Sequence, residues 1–339
     1  MTRKLGLAVL SLVLLFGLAA GPVQAVRSGG TLNYMAPYGG DIGTLDPHIS
    51  TRIQDFLVIK NIHRGLYKWD ANTSKPGLDL AEKVDISPDG LVWTFTLKKN
   101  IKFHNGRNLT VDDVIWSYER IMNPATASPS ARYIRNFKGA KAVEDGKADH
   151  VAGLRKIDDY ALEITLENPI DISYPLYEPG TSIVPREEVE KKGSAFGSEP
   201  VGCGPFQFVK WVKGSEIVLK KFPDFYDAGK PYLDKLVIKI MEEGAARDIA
   251  FKAKELDMTI VGAAQYPEYK ADPVISKNMI EVAEMWTRLI VFNLDYEPFQ
   301  KRQVRQAINY AIDAELIINK LLKGKAFPCQ SYLPPAFEP

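Results

Sequence analysis

Side chains able to cut, transfer or ligate are few in this chain and poorly spaced for those tasks. The four histidines, His48, His63, His104 and His150, never fall one helical turn apart. The H-x-x-x-H spacing that turns two imidazoles toward one zinc ion is therefore missing. The two cysteines, Cys203 and Cys329, form no C-x-x-C pair. No serine lies in G-x-S-x-G, so the sequence offers no nucleophile elbow, and it has no Walker A pattern. Gly202-Cys203-Gly204 opens like a dinucleotide fingerprint but lacks the third glycine, and Pro205 leads into a strand pattern where that motif needs a helix. Of the adjacent carboxylates, Asp112-Asp113 sits where a helix begins and complements its dipole, while Asp158-Asp159 falls in a turn. Asn72-Thr73-Ser74 and Asn108-Leu109-Thr110 match the glycosylation triplet, a match short enough to arise by chance. No catalytic, metal or cofactor set emerges.

The elements that carry these residues are more informative. From Pro88 to Arg120 the chain reads strand, turn, strand, turn, helix. Asp89-Gly90 is a turn dipeptide, since glycine accepts positive φ at no steric cost. Leu91, Trp93, Phe95 and Leu97 alternate with Val92, Thr94 and Thr96, and a period of two puts the larger set on one sheet face. Asn105-Gly106 marks a second turn after Ile101 and Phe103. Thr110 with Asp113 has the form of a capping box, aspartate standing for the usual glutamate. Val114, Tyr118, Ile121 and Met122 then supply a helical apolar stripe.

This block resembles the signature of the extracytoplasmic solute-binding proteins of the peptide, dipeptide and nickel class (family 5), which serve ABC importers. That family reads DG, T-F-x-L, L-K/R, K-F-x-x-G and T-x-x-D-V in order. Here the pieces are Asp89-Gly90, Thr94 to Leu97, Lys98, Lys102 to Gly106 and Thr110 to Val114. Gly30-Thr31-Leu32 with Leu45-Asp46-Pro47, His63 to Asp70, Leu80-Ala81-Glu82, Val201 to Phe206 and Phe292 to Ala311 resemble further family segments in the same order. Cys203 stands where the family usually has threonine, and Phe206 where it has tyrosine.

The resemblance implies an α/β, periplasmic-binding-protein-like fold of two lobes with a cleft and hinge, plus an extra small α+β domain. It implies domain I at 28–65 plus 200–282, domain II at 66–199, and the start of a third domain at 283–339, incomplete here, as in a C-terminally truncated member. Expressed alone, such a segment would expose the stripe from Val304 to Ile317 and tend to aggregate. The implied function is capture of peptides or peptide-like solutes and delivery to ABC permease subunits by lobe closure, without enzymatic turnover, by a protein monomeric when full length. Nickel chelates, opines, oligosaccharides, or a ligand-presenting sensor or chaperone on the same scaffold, remain open, since fold does not fix the ligand.

The same resemblance points to ligand contacts. The loop after Pro47 lies at the family's cleft, which selects Ser50, Thr51, Arg52 and Asp55. Asp55 either meets a ligand ammonium or complements a helix N-terminus. Nickel-binding members carry an aromatic residue and a methionine aligned roughly with Ser50 and Asp55, and neither type is present at those two positions. Arg132, Tyr133, Tyr177 and Thr181 belong to segments that can face the cleft. Trp286 and Arg288 sit at the entry to the third domain, where the tryptophan either stacks on ligand or packs between domains.

Composition agrees with an exported soluble protein. With 43 basic and 42 acidic residues mixed along 339 positions, the chain shows no nucleic-acid footprint. Arg3-Lys4, the apolar run Leu5 to Leu18, and Val23-Gln24-Ala25 have the three parts of a cleavable signal peptide ending at residue 25. The apolar run is shorter than the ~20 residues that span a bilayer. No cysteine marks a lipid attachment point near residue 26, so the expected location is the periplasm, unanchored. Free or buried thiols are expected for Cys203 and Cys329, because a bridge between moving lobes would block closure.

Overall fold

The computed structural model describes residues 27–36, 40–241, 244–282, 287–329 and 332. The expected signal peptide and Trp286 lie outside them. Two compact units are present. The first holds the described residues up to 241 together with 254–258; the second holds 244–253 and the residues from 259 onward.

The first unit contains two four-stranded sheets and a hairpin. In one sheet, β1 (Thr31–Met35) runs parallel to β10 (Lys235–Lys239), followed by antiparallel β9 (Glu216–Lys221) and β8 (Phe206–Val212). Helix α1 (Ile53–Ile62) gives Val58, Ile59 and Ile62 to a core shared with Ile217, Leu219, Leu236 and Ile238. Strands β2 (Tyr67–Asp70) and β3 (Lys75–Leu78) pair as the hairpin. The other sheet is antiparallel in the order β4 (Ala81–Ile86), β5 (Val92–Leu97), β7 (Ala161–Thr165), β6 (Leu154–Asp158). Helix α2 (Val111–Met122) belongs to the same core as this sheet.

The alternation in β5 works as its sequence indicates. Trp93, Phe95 and Leu97 are buried while Val92, Thr94 and Thr96 are half-buried. Each such large apolar side chain contributes about 1.5–3 kcal/mol by leaving water. The Thr110 capping box forms, with the Thr110 N–H donating to Asp113 Oδ2 at 2.9 Å. Tyr118, Ile121 and Met122 are sealed beneath the sheet. Helix α3 (Arg186–Lys192) follows as its charge pattern suggests.

Several expected elements come out shorter. Ile101 and Phe103 are buried, yet the turn at Asn105-Gly106 closes so tightly that only Lys102 and Asn108 pair as strand residues. Met258 contributes a single parallel bridge to Tyr34. No strand forms at the described residues of 280–293. In the second unit, α4 (Ala245–Lys252) carries the buried Ala250, and Tyr269 is sealed near Phe251. The stripe from Val304 to Ile317 does not lie on one continuous helix: α5 (Arg302–Ala311) ends and a new piece starts, because Asp313 accepts a hydrogen bond from the Leu316 N–H and caps it. No residue of α5 is buried.

Candidate functional site

Helix α2 ends its apolar stripe beside Arg120, and that side chain reaches the Leu45-Asp46-Pro47 loop. Its guanidinium makes a two-pronged contact with Asp46, Nη1 to Oδ1 at 3.0 Å and Nη2 to Oδ2 at 2.6 Å. Such forked pairing is the geometry arginine is built for. Nη1 also donates to His48 Nδ1 at 2.9 Å, so His48 must carry its proton on Nε2, which donates to the Ser182 carbonyl at 2.8 Å. Asp46 and His48 are buried. Burial, then the Arg120 charge, pushes His48 down to about 4 and keeps it neutral. Burial alone would raise the Asp46 carboxyl; the Arg120 hydrogen bonds and charge outweigh it and hold Asp46 below its usual range. The arrangement ties the loop before α1 to α2 and to the segment at 182.

A second tie leaves the same signature block. His104 receives the Gly202 N–H on Nδ1 at 3.3 Å and contacts the Gly204 carbonyl through Nε2 at 3.0 Å. Burial pushes this imidazole down to about 4. The glycines of Gly202-Cys203-Gly204 are required by crowding. A Cβ on Gly202 would lie 2.0 Å from the Ile62 carbonyl oxygen, and one on Gly204 would lie 2.6 Å from that of Asn61. The turn thus packs directly on the C-terminal end of α1. Cys203 is buried, with its thiol pushed up to about 12 by burial, which makes it a packing residue without nucleophilic character. Cys203 and Cys329 form no disulfide.

The residues singled out after Pro47 divide in two. Asp55 is buried, and its carboxylate accepts the Gly43 N–H at 2.9 Å, the Thr44 N–H at 3.4 Å and the Ser50 hydroxyl at 3.0 Å. Ser50 is buried with it. These two groups organise the loop. Thr51 and Arg52 are exposed, Arg52 donating to the Asp41 carbonyl at 2.7 Å.

Tyr177 lies in a group that the sequence did not announce. Its ring stands 5.2 Å from Trp69 and 6.4 Å from Tyr174, with Lys60 Nζ 6.0 Å from its centroid. Burial, then the Glu178 carboxylate, raises the Tyr177 hydroxyl to about 12, and Tyr133 is close enough to act on it. Burial lowers Lys60, and Glu178 opposes that shift. Arg132 stacks on Tyr133 at 4.6 Å and donates to its hydroxyl at 2.8 Å. The group therefore offers flat aromatic faces edged by two cations and one carboxylate. Thr181 is buried, its hydroxyl against the carbonyls of Pro175 at 3.2 Å and Glu178 at 2.9 Å, so it supports Tyr177 from behind. Arg288 is exposed in the second unit.

A further buried carboxylate, Asp79, accepts from the Tyr226 hydroxyl at 2.6 Å and faces Arg64 at 3.6 Å and Lys68 at 3.4 Å. Sequence reasoning missed Trp69, Lys60, Glu178 and Asp79. Only Trp69, a large aromatic in a polar strand, carried a usable signal. Among the described residues no group of three His, Cys, Asp or Glu side chains could hold a metal ion, and no helix is long and apolar enough to cross a membrane.

A model of the bacterial extracellular solute-binding proteins, family 5, middle region, matches residues 75–339. The periplasmic oligopeptide-binding protein OppA of Salmonella typhimurium is 28% identical over 304 residues, covering 88% of this chain and 55% of OppA. The chain thus spans little more than half the length of that relative. The periplasmic binding protein DppA of Helicobacter pylori, solved with the peptide STSA, superposes with a TM-score of 0.77 at 26% identity, over 91% of this chain and 62% of DppA. NikZ of Campylobacter jejuni, solved with Ni(L-His), gives 0.72 at 28% identity, over 88% of this chain and 56% of NikZ.

Proposed function

The chain belongs to the bacterial extracellular solute-binding proteins of family 5, and from that membership we propose that it is the substrate-binding component of an ABC importer. In this reading it captures peptides, from dipeptides to oligopeptides, or peptide-like solutes in the periplasm and hands them to the transmembrane permease. It is a carrier without catalytic turnover. The observation that carries the reading is the family match across 75–339. Relatives named for oligopeptide binding and for a bound peptide support the solute class.

The geometry suits that role. A binding protein needs a shaped surface and matched polar groups, with no activated nucleophile. The Tyr177, Tyr133 and Trp69 faces, edged by Lys60, Arg132 and Glu178, would hold a peptide side chain and its nearby charges. Thr51 and Arg52, exposed in the loop after Pro47, would approach the solute from the same unit. Extended peptides also bind through their backbones, in the manner of an added strand. Within the first unit Arg120 ties residues 46–48, and His104 ties residues 202–204, to the expected domain II, so in this reading those parts move together.

Native mass spectrometry of the protein purified from its host tests the reading. A co-purified peptide is expected. A bound sugar, or no ligand together with hydrolysis of added peptides, would overturn it. The likeness to NikZ favours a second reading, a nickel chelate that brings its own donor atoms, and a nickel adduct in the same spectrum would select it.

A further inference from the structure

The sheet β1-β10-β9-β8 ends in a free edge. β8 pairs with β9 alone, and no other strand pairs with it among the described residues. An edge strand presents a row of unpaired N–H and C=O groups to whatever lies beside it. Here that is a groove of about 680 Å³, with β8 as one wall and His104 and residues 198–201 on the other. Ordinary ligand clefts fall in the range of about 300–1,000 Å³. Seven residues of β8 span about 23 Å at the usual strand rise.

The charge of the groove is predominantly positive. Lys192, Lys210, Lys213 and Lys220 line it, against the single carboxylate of Glu199. Lys210 is neutralised by Glu216 at 2.7 Å, and Lys192 has Glu188 at 3.6 Å. Neither Lys213 nor Lys220 has a close ion pair among the described residues, although the Asp41 and Asp55 carboxylates act on Lys213 from further off. Lys213 instead lies over the Trp211 ring, 3.0 Å from its centroid. The Trp211 ring packs against the core beneath this sheet. A free strand edge and two cations without a close ion pair thus line one groove.

We propose that the groove along β8 is a docking site for an extended acidic segment of another protein, added as a strand to β8 with carboxylates on both of its faces, one set toward Lys213 and the other toward Lys220. Lysines and a bulge such as the one between Phe208 and Lys210 also serve to keep edge strands from pairing. In that case the groove would refuse a strand. The groove lies wholly in the first unit and does not involve Tyr177 or Tyr133.

The test is fluorescence anisotropy with a terminally capped octapeptide of alternating Glu-Glu and Thr-Thr pairs, which carries carboxylates on both faces, titrated with the protein. Binding is expected, weakening about tenfold in Lys213→Glu/Lys220→Glu and falling as salt rises from about 50 to about 300 mM. Methylating alternate backbone nitrogens of the probe should abolish binding, because the added strand then loses its donors. Tyr133→Ala should leave the probe's affinity unchanged, which separates this groove from the solute surface. Matching circular dichroism and melting curves establish that the lysine variants fold. Absence of binding, insensitivity to the lysine changes, survival with the methylated probe, or loss in Tyr133→Ala would each overturn the proposal.

Discussion

Two polar regions of the first unit show what burial does to the same kinds of residue. At Arg120 the charged groups are enclosed: Asp46 and His48 are covered and each is met by a partner in good geometry. Around Tyr177 the rings and charges remain at the surface, with Trp69, Tyr133 and Tyr177 half-buried and Lys60 and Arg132 exposed. The first region cannot greet a solute without being dismantled. The second can exchange water for a ligand at little structural cost. Asp55 and Ser50 fall with the first group although their sequence position suggested the second. Position near a cleft is therefore a poorer guide than whether a side chain's hydrogen bonds are already taken.

Acid should separate the regions most strongly. His48 and His63 are buried and neutral, with pKa pushed down to about 4 and about 3 chiefly by burial. Both lie below the unfolded value near 6.5, so the unfolded chain takes up protons first. Their stabilisation is complete above pH ~6.5 and is lost as pH falls toward ~4, on the order of 3 kcal/mol each. Asp46, also depressed, acts in the same direction at lower pH. Urea melts between pH 7 and 4 should show the midpoint falling steeply; a flat profile would remove the buried histidines from the account.

Next in size, Arg120→Ala leaves Asp46 buried and unpaired and should cost about 3–5 kcal/mol by denaturant melting. Arg120→Met combined with Asp46→Leu should regain much of that loss, since no uncompensated charge remains. A single change as mild as a surface substitution would mean the pair is not sealed. Tyr177→Ala should cost only about 1 kcal/mol of stability while weakening solute binding about tenfold; calorimetry with the co-purified solute reads the difference. Arg52→Ala, exposed and bonded to one carbonyl, should change stability by less than about 0.5 kcal/mol.

The signature block shows how far sequence pattern reaches. The faces of β5, the cap of α2 and its buried stripe were all legible, because period and capping depend on neighbours only a few residues away. His104 and Arg120 belong to the same block but act outside it, one on Gly202 and Gly204, the other on Asp46 and His48. Nothing in local spacing connects Arg120 with a residue 74 positions away. The break between Ala311 and Asp313 is hidden from periodicity for the opposite reason: a local cap there interrupts a regular apolar period.

By itself the sequence indicated the family, the α/β class and the local elements of the signature block, β5 and α2. Those follow from short-range sterics, periodicity and ordered motifs. Only the tertiary structure decided which polar groups are available. Whether Asp55, Ser50, Thr181 and Tyr177 hold the fold or face a ligand depends on burial and on partners from distant segments. Desolvation and hydrogen-bond satisfaction are properties of a packed environment, and no linear spacing encodes them.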